Sequence, residues 1–111
     1  MSLLAVHLYV GFAVAALALF AVWRRPERRI TLYVVTLQIL LGVSLIFQGL
    51  RAPSLHYALA ILGWAGYMVA NAMAGRGRPR GVVLSIAALS TLLILFAYYL
   101  GMHAVKVGFA G

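Results

Sequence analysis

The chain has 111 residues, 66% of them hydrophobic and 9% charged, with a net charge of +8 and no cysteine. Soluble domains are roughly half apolar, so a chain this short and this apolar cannot screen its surface from water and reads as an integral membrane protein. The lack of cysteine excludes disulfide, iron–sulfur and thiol redox chemistry.

Runs of about 20 apolar residues match a ~30 Å hydrocarbon core at 1.5 Å of rise per helical residue. Four such runs can be drawn: Leu3–Trp23, Ile30–Leu50, Ser54–Ala74 and Gly81–Met102. They occupy most of residues 1–111 and predict a single transmembrane domain with no separate soluble part. Backbone groups in lipid must be satisfied within their own segment, so each run is expected to be an α-helix. Short connections favour an all-α, up-and-down four-helix bundle.

The first run is interrupted only by His7, near its start. Steps of three and four from His7 reach Gly11, Ala15 and Ala18, a stripe of small residues that lets a helix or a planar ligand approach closely. No basic residue precedes Leu3, so the run is expected to stay in the mature protein rather than act as a cleaved signal. Trp23 marks an interface. The link RRPERR follows, and its Pro26 suits a turn. Glu27, the only acid in the chain, lies in this link. Small multidrug transporters need a membrane carboxylate in the first helix, which this chain lacks, so that function is set aside.

The second run carries Gln38 at mid-depth and Gln48 near its end. An amide in hydrocarbon is expected to find a partner or to face the bundle interior; Gln38 reads either as interhelical glue or as a ligand contact. Gly42 lies one turn further on the same face. The tight break Arg51-Ala52-Pro53 makes runs two and three antiparallel neighbours, with Pro53 suited to a first helical turn.

The third run repeats the design of the first. From His56 the spacing reaches Ala60, Gly63 and Tyr67, and Gly66 and Ala70 form a second small pair. The basic loop GRGRPRG leads to the fourth run, which has no ionisable group. Tyr98 and Tyr99 mark an interface, His103 lies just beyond it, and Lys106 follows in a short tail.

Arg24, Arg25, Arg28, Arg29, Arg76, Arg78 and Arg80 all fall on one side of the bundle, against Arg51 and Lys106 on the other. By the positive-inside rule the arginine loops are cytoplasmic and both termini lie outside, an N-out/C-out arrangement in the inner (plasma) membrane. The arginines read as topology and anionic-lipid contacts, with no nucleic-acid partner.

His7 and His56 are the fifth and third residues of alternate runs that start on the same side, which sets them within about 3 Å of one depth by helical rise. Two imidazoles from diagonal helices can bind a metal in trans, and neutral imidazole is a common axial ligand of haem iron. Ionisable groups inside a membrane are costly and read as functional by default. Haem ligation by His7 and His56 is therefore the leading expectation, with interfacial or hydrogen-bonding histidines and other metals as alternatives. His103 reads as a third ligand, a proton carrier or an interfacial residue. Arg51 and Lys106 are the cations on that side, where either would pair with haem propionates. Phe12, Phe20, Leu41, Trp64 and Tyr67 are candidates by depth for covering the haem.

The order His-x-x-x-Gly, a basic turn with RR, LQILLGV, and a proline shortly before LHYALAIL resembles half of a haem A synthase, over roughly His7 to Ala74. The architecture is also cytochrome b561-like. The resemblance implies that His7 and His56 match the family's paired haem-binding histidines, and that Gln38 and Gly42 match its QxxLG. The larger members join two such halves and carry a glutamate near the outer histidine; this chain supplies one half and no acid on that side. The reading is a bis-histidine haem b protein for electron transfer or haem handling. A haem A synthase-like oxidoreductase activity would lack its outer-side acid. The small faces of the helices would allow a homodimer. The competing reading is a non-catalytic accessory subunit of a larger respiratory or photosynthetic membrane complex. A transporter or quinone-associated role would rest only on Gln38, Asn71 and the tyrosines.

Overall fold

The computed structural model describes residues 2–106. They form four helices: α1 (Leu3–Ala21), α2 (Arg25–Phe47), α3 (Ser54–Gly75) and α4 (Arg80–Lys106). Each is long and apolar enough to cross a membrane. The molecule is 45 Å along its longest axis and 24 × 20 Å across, so its ends reach the level of the headgroups of a bilayer ~40–45 Å thick overall.

The helices pair as two hairpins, α1 with α2 and α3 with α4, which meet along the thinner seams α1–α4 and α2–α3. Helices α1 and α3 are thus diagonal, as are α2 and α4. Large side chains point away from the bundle: Phe12, Leu40, Phe47, Leu92 and Tyr99 are all more than half exposed. Small ones face inward, among them Gly11, Ala18, Ala21, Gly63, Ala70, Ala87 and Ala97. This inversion suits lipid, where helices gain from close backbone approach rather than from hiding apolar surface.

Polar groups tie the helices at mid-depth. The Thr91 hydroxyl donates to the Ala18 carbonyl at 3.0 Å and lies 2.6 Å from the Tyr67 hydroxyl. A hydroxyl has one proton to give, so Tyr67 is the donor to Thr91, and the relay joins α3, α4 and α1. Trp64 Nε1 donates to Thr36 Oγ1 at 2.9 Å across the α2–α3 seam. On α3, Gly63 lies against Ile94, and Gly66 against Ser90.

Helix α2 begins at Arg25, five residues before its apolar run, with Pro26 in the first turn. The basic link is therefore largely helical. Arg28 is buried, and its guanidinium donates to the carbonyls of Ala21 and Val22 at 2.9 Å each. Those carbonyls have lost their intrahelical partners at the end of α1, and a cation suits a helix C-terminus. Arg24 pairs with Glu27 at 3.0 Å. Helices α2 and α3 each end at a positive-φ glycine, Gly49 (φ 85°) and Gly77 (φ 70°). The following amides, of Leu50 and Arg78, close back onto the carbonyls of Leu45 and Met73, the bonding that lets a helix stop without orphaned carbonyls. Helix α4 runs past the apolar stretch, so His103 and Lys106 lie in its last turn rather than in a tail.

Candidate functional site

A partly open cavity of about 220 Å³ lies between the two hairpins, at the end of the bundle where α1 and α3 begin. His7 and Gly11 reach it from α1, Gln38 and Gly42 from α2, His56 and Ala60 from α3. Helix α4 adds Ala97, Tyr98 and Gly101. The two histidines thus face one space from diagonal helices.

Each imidazole is seated against a glycine. A Cβ on Gly42 would stand 3.4 Å from His7 Cε1, and a Cβ on Gly101 would stand 2.9 Å from His56 Cε1. His56 Nδ1 lies 2.7 Å from the Ala97 carbonyl oxygen. A carbonyl only accepts, so Nδ1 carries the proton and Nε2 keeps its lone pair. That is the tautomer with which a histidine ligates a metal through Nε2, fixed here by a backbone acceptor. His7 Nδ1 is buried without a hydrogen-bond partner among the described residues. Neither Nε2 is buried or hydrogen-bonded there.

Gln38 supplies the floor. Its Nε2 donates to the His7 backbone carbonyl at 2.7 Å, while its Oε1 is buried with no partner among the described residues. A Cβ on Gly11 would come within 2.9 Å of Gln38 Nε2, so Gly11 admits this bond. At the mouth, the Tyr57 hydroxyl accepts from the Ala52 amide at 2.7 Å and fixes the α2–α3 turn.

Six of the residues singled out in the sequence therefore meet at one cavity: His7, Gly11, Gln38, Gly42, His56 and Ala60. Gly63 belongs instead to the α3–α4 seam, where a Cβ would stand 2.7 Å from Ile94 Cδ1. Arg51 is exposed in the α2–α3 turn, although its neighbours Leu50 and Ala52 line the cavity. His103 is exposed, stacked on Tyr99 with ring centroids 6.4 Å apart, and does not line the cavity. None of Phe12, Phe20, Leu41, Trp64 and Tyr67 lines it: Phe12 and Phe20 point outward, and Tyr67 is committed to Thr91. Of the α4 residues at the cavity, Tyr98 reads from the sequence only as an interface marker, and Ala97 and Gly101 are not singled out there; the small pair they form, one turn apart on the same face, is the signal that could have found them.

Two histidines that face one space are a donor set that could hold a haem iron. Neither Nε2 is fully buried, the His56 ring is held in the tautomer that leaves Nε2 its lone pair, and glycines leave both rings uncrowded. The enclosed volume is below the ~300–1,000 Å³ usual for cofactor pockets. Fold and site together define an all-helical, multi-pass membrane bundle with a two-histidine cavity near one end. Comparison with family models, with curated proteins and with solved structures finds no significant match.

Proposed function

We propose that the chain is an integral membrane haem b-binding protein in which His7 and His56 would hold the haem iron. The observation that carries this reading is the shared cavity, with the His56 proton committed to Ala97 and its Nε2 free. When bound, the haem supplies one-electron transfer. The residues of the chain do the rest: Ala97 holds the His56 tautomer, Gln38 braces the α1 backbone at His7, and Gly42 and Gly101 leave room for the rings. Arg51 and Lys106 supply the positive charge at that end for haem carboxylates.

The resemblance to half of a haem A synthase supports electron transfer or haem handling for a respiratory oxidase, with a homodimer rebuilding the two-half arrangement. The charge asymmetry of the loops supports a location in the inner (plasma) membrane with the arginine-rich loops cytoplasmic. Haem titration of the purified chain in detergent tests the ligand assignment. Saturable binding that His7→Ala and His56→Ala each abolish is expected. Full haem retention in both variants refutes it. A chain that stays colourless with added haem and co-purifies with a large complex returns the accessory-subunit reading.

A further inference from the structure

A second recess of about 340 Å³ lies at the opposite end of the bundle, between the start of α2 and the end of α3. Arg25, Arg29 and Tyr33, at i, i+4 and i+8 on one face of α2, line it, and Asn71 and Gly75 of α3 close it. The other two arginines of this segment have internal tasks: Arg24 is bonded to Glu27, and Arg28 to the end of α1. Glu27 is the only acid in the whole chain, so no other carboxylate side chain exists to neutralise Arg25 and Arg29. Neither makes a salt bridge or side-chain hydrogen bond among the described residues. Arg25 and Arg80 also stand near enough to Arg28 to repel its charge, which adds to the uncompensated positive field. The recess lies where the bundle's length brings its end to headgroup level.

We infer that this recess binds the phosphate of an anionic headgroup, with Arg25 and Arg29 as its cations and the Tyr33 hydroxyl as a further donor. Guanidinium groups bind phosphate by paired, charge-assisted hydrogen bonds, and basic recesses between membrane helices take such headgroups. The site is independent of the haem cavity at the other end. It requires a defined pair of arginines, not merely a basic loop.

The test is native mass spectrometry of the full chain in neutral detergent, with added phosphatidylglycerol or phosphatidylcholine. Retention of phosphatidylglycerol over phosphatidylcholine is expected, weakened about tenfold in R25Q/R29Q and little changed in R76Q/R78Q, which removes the same charge from the other arginine loop. Excess inorganic phosphate then separates the sources: unchanged retention identifies a lipid headgroup, and displacement identifies a free phosphate as a competent ligand. Equal retention of the two lipids, or equal loss in both double variants, overturns the proposal. All four arginines are exposed, and an unchanged helical circular dichroism spectrum verifies that the variants fold.

Discussion

Gly101→Ala tests the His56 seat with a single methyl group. The new Cβ would stand 2.9 Å from His56 Cε1 and 3.3 Å from Nδ1, so the ring must retreat from α4 by roughly half an ångström to restore ordinary contact. The Nδ1–Ala97 bond, 2.7 Å long, is made to the same helix one turn earlier. Retreat therefore stretches it toward the ~3.2 Å limit of an N–H···O bond. Overpacking of this kind costs about 1–3 kcal/mol, and a loosened tautomer lock adds to it. Charged to haem binding, that is a loss of about tenfold to a hundredfold in affinity. The assay is haem titration of the purified variant by Soret absorbance, with Gly75→Ala as control, because a Cβ there meets nothing within 4 Å. Wild-type affinity in Gly101→Ala would show that His56 does not hold the haem from this position.

Other substitutions probe the frame. Gly66→Ala drives a methyl into Ser90 and should lower stability by about 1–3 kcal/mol in detergent unfolding; adding Ser90→Gly should recover most of the loss. Arg28→Ala leaves the Ala21 and Val22 carbonyls without the guanidinium and should cost about 2–3 kcal/mol, seen as a lower thermal midpoint, with no recovery if Arg76 is also changed. Tyr67→Phe removes one hydrogen bond, about 1 kcal/mol, whereas Thr91→Val breaks the relay to both Tyr67 and Ala18 and should cost more. Equal midpoints for these last two would mean that the Thr91–Ala18 bond adds nothing.

Hydropathy sufficed to find the four helices, because lipid leaves the backbone no alternative. It misplaced the start of α2, since charged residues lower the apolar score even where they are helical; Arg28 is charged and buried because its partners are the carbonyls ending α1. Depth along a helix was legible from residue counting, and it brought His7 and His56 to one cavity. Direction around a helix was not. Phe12 and Phe20 have a suitable depth and point to the outside, and helical period alone does not say which face is inward when nearly every position is apolar. The apolar run of α4 carries no acid, histidine or basic residue to draw notice, yet its backbone carbonyl at Ala97 fixes the histidine. Backbone acceptors leave no mark on a sequence.

The central claim is that His7 and His56 jointly ligate a haem, and a reduced-minus-oxidised absorption spectrum of the purified chain, after haem reconstitution, tests it most directly. The account predicts a sharp low-spin α-band from two histidine ligands, lost when either His7 or His56 is replaced by alanine and retained in His103→Ala. An α-band that survives both His7→Ala and His56→Ala, or no band in the wild-type chain with haem supplied, would contradict it.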